Sequence, residues 1–358
     1  MTIKSLFLGS AAAFAAASAA QAADPVVVIE PVQANYVEVC DAFGAGYFYI
    51  PGTETCLNVG GYIRFQIDAQ TGANSPDTWN VWTRGRLAIT SKTDTELGAL
   101  TGVVVLHSEY YSNDGSSDTY IDEAYLGLGG FQAGKFLSYW DEGLLGEIDD
   151  LAGQTNFNSM RYVYVGEGFV GGLSLDALEP SMVGLSNSGD NTPKLGVSGR
   201  VGFQAGGFGA KLDVGYDTYN EEASFRLMTS LALGPGSLDL GANYSTGWNA
   251  YSNNYDNELL DYSLPTPTVV QGVYAEWALA AGYKLNVTDK FAVTPAVQWT
   301  SANVPGADNE DYWSAGALFD YTIVEGLSAK LNVQYIDTPD QYYTDDYWGG
   351  WFRLERDF

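Results

Sequence analysis

Histidine occurs once in the 358 residues, at His107, and that scarcity removes most of the catalytic chemistry a chain of this length could carry. Hydrolytic and acyl-transfer sites need a base beside a nucleophile or an acid. His107 is flanked by Ser108 and Glu109. Adjacent residues on a strand point to opposite faces, so His107 and Glu109 can share a face, but no nucleophile joins them. Cysteine is almost as rare: Cys40 and Cys56 are the only two, so a zinc site lacks ligands and no metal or cofactor is implied. Basic residues number 16 against 44 acidic ones, a balance that excludes binding to nucleic acid through its phosphates. Long apolar runs are missing after the first twenty or so residues, which excludes a bundle of membrane-crossing helices.

The one apolar run lies at the start. Lys4 precedes a stretch from Leu6 to Ala20 broken only by Gly9, Ser10 and Ser18, and Ala20-Gln21-Ala22 places small residues where a signal peptidase reads them. The stretch is shorter than the ~20 residues of a spanning helix, so a secretory signal is preferred to an anchor. Residues 1–22 are expected to be removed. Only Lys4 leaves with them, so 15 basic and 44 acidic residues remain and the charge becomes −29. In the oxidising compartment beyond, Cys40 and Cys56 either pair or stay as two buried thiols, and the compartment favours the bond.

What is abundant points elsewhere. Glycine (42), tyrosine (25) and tryptophan (9) recur along the chain rather than clustering, as aromatic belts at two membrane interfaces would. From Leu57, the residues Leu57, Val59, Ile63, Phe65 and Ile67 alternate with Asn58, Tyr62, Arg64, Gln66 and Asp68, the period of a strand with one apolar and one polar face. One such strand says little. Similar segments begin near Val81, Ala99, Tyr120, Phe131, Met160, Leu173, Leu195, Ala210, Phe225, Leu238, Trp277, Phe291, Trp313, Leu327 and Gly350. Together they make about sixteen, each near the 9–11 residues of a tilted transmembrane strand.

Connections alternate in length. Lys92–Leu97, Gln204–Gly207, Gly234–Ser237, Asn286–Lys290 and Thr322–Gly326 are short, whereas Ser112–Thr119, Glu179–Thr192, Thr246–Gln271, Ser301–Asp311 and Asp337–Asp346 are long. Tight periplasmic turns and larger external loops produce that pattern. The acids of Asp308–Asp311 and Asp340–Asp346 read as solvated loop charge. Pro295 interrupts the segment from Phe291 to Trp299, and a closed barrel has no free edge for it. A bulge is expected there, unless the strand is drawn wrongly; the alternating flanks favour the strand. Before the barrel, Asp24–Gln33 reads as an extended tail. Tyr36–Thr55 reads as a disulfide-closed appendage at the barrel mouth or as an extra strand.

Amphipathic strands in hydrocarbon satisfy their backbone only by closing on themselves, apolar face outward. With about sixteen strands the interior is too wide for side chains to fill, so water enters and a pore results. Arg64, Arg84 and Arg86 fall on the polar phase of the first two strands. The insertion Leu137–Asn158 carries Asp141, Glu142, Glu147, Asp149 and Asp150. Folded inward, it would set carboxylates against guanidinium groups across the narrowest section. Lying outside, its acids would be solvated and the arginines would pair with neighbouring strands.

A family resemblance selects between these. The block from Cys40 to Cys56 (CDAFGAGYFYIPGTETC), followed by Gly60-Gly61-Tyr62-Ile63-Arg64, resembles the opening of alphaproteobacterial major porins. Asp122–Phe131 (DEAYLGLGGF) resembles the strand-turn-strand before the constriction loop of general porins. The end, Trp351–Phe358, resembles the terminus that barrel-assembly machinery recognises through its final phenylalanine, although Arg356 stands where many barrels have an aromatic residue. The resemblance implies a homotrimer of 16-stranded barrels in the lipid of the Gram-negative outer membrane, each with a pore narrowed by an inward loop. It also implies passive passage of small hydrophilic solutes and ions, with lumen arginines and loop acids setting size and charge preference. The expectation is therefore an all-β transmembrane antiparallel barrel over residues 57–358, preceded by a periplasmic-side segment, 23–56. A substrate-selective channel and a plugged barrel with a structural or adhesive role are the alternatives.

Overall fold

The computed structural model describes residues 38–72, 78–148, 151, 153–185, 189–254, 260–261, 268–269, 272–337 and 346–358. The expected signal segment and the acids Asp149 and Asp150 lie outside them.

Sixteen long strands form one antiparallel sheet closed on itself. They are β1 (Cys56–Gly72), β2 (Thr78–Thr93), β3 (Leu100–Tyr111), β4 (Ser117–Leu128), β5 (Phe131–Leu137), β6 (Asn156–Gly166), β7 (Phe169–Leu178) and β8 (Lys194–Ala205). There follow β9 (Phe208–Asp217), β10 (Glu222–Leu233), β11 (Gly236–Ser245), β12 (Tyr274–Asn286), β13 (Phe291–Asn303), β14 (Glu310–Val324), β15 (Leu327–Ile336) and β16 (Tyr347–Asp357). Each segment picked out by alternation falls on one of them. Closure is made by β16 on β1, from Tyr347 opposite Gly72 to Asp357 opposite Tyr62. Phe358 extends it, exchanging two 3.0 Å backbone hydrogen bonds with Gly61. No sheet edge is left along this seam, which is the condition for lying in lipid.

Burial runs opposite to that of a soluble strand. Along β6, Met160 and Tyr162 are 54% and 58% exposed, while Ser159 and Arg161, which alternate with them, are buried. The same inversion holds for Leu173 and Leu175 against Ser174 and Asp176 on β7, and for Phe225 and Leu227 against Ser224 and Arg226 on β10. Apolar residues face out because the surrounding medium is hydrocarbon, and polar residues face a wet interior.

Two details depart from expectation. No bulge occurs at Pro295. On the β14 side it pairs in register with Ala317; toward β12 the ladder resumes in the same register from Ala296–Gly282 to Val293–Leu285, leaving out the rungs between. The proline's missing N–H is absorbed as a gap in one ladder, not as an extra residue. Loop lengths also segregate less cleanly. Connections 129–130, 167–168, 206–207, 234–235 and 325–326 are tight and 138–155 and 246–273 are long. At the long-loop end, however, 218–221 is short, and Ser301 and Ala302 pair with Asp311 and Glu310 as strand.

The N-terminal block is both an appendage and a strand. Cys40 and Cys56 form a disulfide with Cα atoms 6.0 Å apart. Within the loop it closes, Phe48–Tyr49 forms a two-residue strand on Leu57 and Cys56, at the short-turn end of β1. Phe43 and Tyr47 stand 5.7 and 5.5 Å from the Lys92 ammonium, a cation–π contact that ties the loop to β2. Both cysteines are almost fully buried, so the native protein is expected to resist thiol alkylation until reductant is added. Loss of the bond should then cost about 3 kcal/mol in the chain-entropy model, read as a modest fall in melting temperature. Immediate double alkylation of native protein would contradict the bond.

Candidate functional site

Arg64, Arg84 and Arg86 lie side by side on the polar face. Arg64 is the cross-strand neighbour of Arg84, and Arg86 that of His107 on β3. Their ion pairs run along the wall. Arg64 Nε donates to Glu355 on β16 at 2.6 Å, Arg84 Nε to Glu109 on β3 at 2.5 Å, and Arg86 stands 3.9 Å from Glu123 on β4. Neighbouring strands supply the carboxylates of these ion pairs, so the three arginines are held along the wall. Tyr62 lies under Arg64 at 4.7 Å, and Trp82 under Arg84 at 4.9 Å. His107 faces the Tyr120 hydroxyl at 3.2 Å and Asp122 at 3.6 Å.

The acids of the long connection find other partners. Ser138 caps a short turn, accepting from Trp140 N at 3.0 Å and donating to Gln154 O at 2.6 Å, which draws the two ends of the segment together. Glu142 accepts from Arg200 on β8 at 2.8 Å and from Lys211 on β9. Glu147 accepts from Arg353 on β16 at 3.0 Å and faces Lys330 on β15 at 3.7 Å. Asn332 on β15 donates to the carbonyls of Gly146 and Glu147, and Asn243 on β11 to that of Leu151. Each of these wall residues is on the polar phase of its strand. The segment thus lies against the inner face, tied from β8 to β16. Glu147 holds φ of +51°, uncommon for a residue with a side chain, and its two cationic partners and Asn332 hold it there.

Beneath the segment's start is a buried ionic group that the sequence reading passed over. Asp213 on β9 is shared by Arg200 (2.5 and 2.9 Å) and Arg226 (3.2 and 3.3 Å). Both guanidinium groups also donate to Tyr139 O, and Arg226 donates to Trp140 O at 2.9 Å. Period-two counting from Ser198, Asp217 and Ser224 would have put Arg200, Lys211, Asp213 and Arg226 on this face. No such count, however, picks them out from the other polar residues there.

The pKa values of two of the carboxylates are shifted in opposite directions. Burial, then the nearby charge of Asp122, raise the Asp141 pKa above the ordinary range. Burial acts the same way on Glu142, but the Lys211 hydrogen bond and the Arg200 and Lys211 charges outweigh it, and its pKa is lowered. The Glu142 clamp is therefore complete at neutral pH and is lost only as pH falls through that depressed value.

Comparison with known proteins agrees with the geometry. The sequence profile of the porin subfamily matches residues 24–351. Outer membrane protein IIIA of Rhizobium leguminosarum bv. viciae is 40% identical over 356 residues, covering 95% of this chain and 91% of its own. Porin Omp2b of Brucella abortus is 32% identical over 401 residues, with both chains covered in full. Among solved structures, the outer membrane channel DcaP of Acinetobacter baumannii superposes with a TM-score of 0.65 at 17% identity, covering 87% of this chain and 99% of that one. The anion-selective porin from Comamonas acidovorans gives 0.62 at 13%, covering 85% and 100%. At those identities the two structures speak for the fold alone. A closed barrel with a polar interior, a family profile spanning nearly the whole chain and relatives aligned end to end lead to one assignment: the chain belongs to the porin subfamily and is a β-barrel of the outer membrane.

Proposed function

We propose that the chain is a general diffusion porin, passing small hydrophilic solutes and ions through a water-filled lumen narrowed by residues 138–155. The observation that carries this is the bonding of that segment to inner-face residues from β8 round to β16, while Arg64, Arg84 and Arg86 pair with carboxylates of the wall itself. Water and solutes then pass between the segment and the arginine-bearing wall of β1 and β2, with Asp141, Glu142 and Glu147 on the opposing side. Asp149 and Asp150 belong to the same segment and are assigned the same role. His107, held by Tyr120 and Asp122, is assigned to the wall and not to catalysis. Residues 1–22 act as the removable signal and 23–56 as a segment on the periplasmic side. A homotrimer, and assembly guided by the exposed terminal Phe358, complete the reading.

Purified protein in planar bilayers should conduct steadily; a barrel that inserts without conducting would mean a plugged, structural or adhesive role. Replacing Arg84 and Arg86 with uncharged residues should raise cation preference, because the −29 chain already attracts cations and these residues supply the local opposition. Reversal potentials in a salt gradient that stay at the wild-type value would put both arginines outside the conduction path. A substrate-selective channel is the second reading, favoured by the rings of Tyr62 and Trp82 stacked with the arginines. It requires saturable current block by one solute class, which a general porin lacks.

A further inference from the structure

The constriction segment is backed by a second piece of chain. After β11 the chain turns inward over residues 246–254 and is pinned to the wall. Asn249, fully buried, accepts from Ser224 Oγ at 3.1 Å and from Tyr251 N at 2.8 Å, and Ala250 N donates to Asp217 at 3.3 Å. Tyr251 is 1% exposed. Its hydroxyl donates to Asp176 at 2.7 Å, a buried carboxylate that also accepts from Ser159, Ser174 and Ser198, each at 2.6 Å. A carboxylate with four donors is fully satisfied and fixes the ring's depth.

The wall is shaped for this ring. A methyl group at Gly196 on β8 would run into the Tyr251 hydroxyl, and one at Gly215 on β9 would strike the ring itself. Alanine is therefore opposed by the seated tyrosine, joined at Gly196 by the Leu178 side chain, and not by backbone conformation. On its other side Tyr251 meets the constriction segment. Its ring is 5.0 Å from Trp140 and 5.4 Å from Phe157, and its carbonyl lies where a side chain on Gly153 would have to go. Tyr251 thus touches both ends of 138–155 while seated in a socket of the barrel.

We propose that Tyr251 is a positioning residue of the pore, a latch by which residues 246–254 hold the constriction segment in place from behind. It does not line the path of solutes. It acts through Trp140 and Gly153, and the two stretches form one bipartite constriction. The proposal rests on the reading of 138–155 as the narrowing element.

The test uses the full barrel, with wild type, Tyr251→Ala, Tyr251→Phe and Gly215→Ala compared in planar bilayers and in liposome swelling with a graded series of sugars. Alanine at 251 empties the socket, and alanine at 215 fills it from the wall. Both should replace the steady open level with flickering between levels and shift the sugar exclusion limit. Tyr251→Phe keeps the ring against Trp140 and should restore the wild-type limit. A general loss of stability would lower the unfolding temperature without moving the exclusion limit of barrels that remain folded. If Tyr251→Ala does not assemble, Tyr251→Leu and Gly215→Ala carry the comparison. Wild-type conductance, noise and exclusion limit in these variants would overturn the latch. A wild-type barrel that does not conduct would instead overturn the pore reading beneath it.

Discussion

Excising residues 144–153 is expected to leave a folded barrel that admits larger sugars than wild type and conducts more current. None of the sixteen strands loses a ladder hydrogen bond, because the deleted stretch lies between β5 and β6. What is lost is the span across the lumen: Glu147 with its two cations, and the carbonyls of Gly146, Glu147 and Leu151 with their asparagine donors. Arg353, Lys330, Asn332 and Asn243 then face water, which can solvate them, so their release costs little. Leu144 and Leu151 pack with Met228, Ala278 and Ala280, and losing their burial costs about 1.5–3 kcal/mol each. Loss of Glu147 also frees two positive charges, so preference should move toward anions. Liposome swelling with a graded sugar series measures the first effect and reversal potentials the second. A variant that inserts and keeps the wild-type exclusion limit would show that this segment does not narrow the pore, leaving residues 246–271 to do so.

Asp213→Ala is expected to destabilise the barrel more than any other single substitution in the lumen. Asp213 and the Arg226 side chain are fully buried, and the Arg200 side chain is partly buried. Removing the carboxylate leaves a buried guanidinium with only carbonyl partners, and breaking a buried pair in that way costs about 3–5 kcal/mol. Asp213→Asn keeps an acceptor and should lose less. The double variant Asp213→Ala with Arg226→Leu should recover part of the loss, since the uncompensated charge goes with it. Glu142→Gln is the contrast: Glu142 is 41% exposed, water screens its pairs, and the change in stability should be small. Urea unfolding followed by tryptophan fluorescence is a direct measure, because the Trp140 ring lies 5.9 Å from the Arg226 guanidinium. Unfolding of Asp213→Ala at the wild-type urea concentration would refute the ionic anchor.

The strands were legible because the information that makes them is local. Whether Ile63 faces lipid and Arg64 faces water depends on residues two apart, and period two is visible in any window of ten. That is why even β13, with Pro295 inside it, could be kept on the strength of its flanks. The count near sixteen, the closure and the wet interior follow from the same alternation, given that hydrocarbon tolerates no unpaired backbone. The Cys40–Cys56 bond was favoured for a different local reason, two cysteines and no other partner in an oxidising compartment.

What the alternation does not contain is which polar residue meets which. Arg64 pairs with Glu355 only because β16 closes on β1, and Glu147 meets Arg353 only because residues 138–155 cross to that wall. These contacts join positions 291 and 206 residues apart. Their partners are fixed by barrel closure and loop path, neither of which leaves a periodic mark. Tyr251 is the plainest case. In the sequence it is one of 25 tyrosines and reads like the aromatic belt around it. Only the folded wall, with glycine at 196 and 215 where its ring must sit, turns it from a membrane-facing type of residue into a buried one. Periodicity along the chain therefore determined which face each residue presents. The tertiary structure decided the pairings on the inner face, because those energies depend on distances between segments that become neighbours only when the barrel closes.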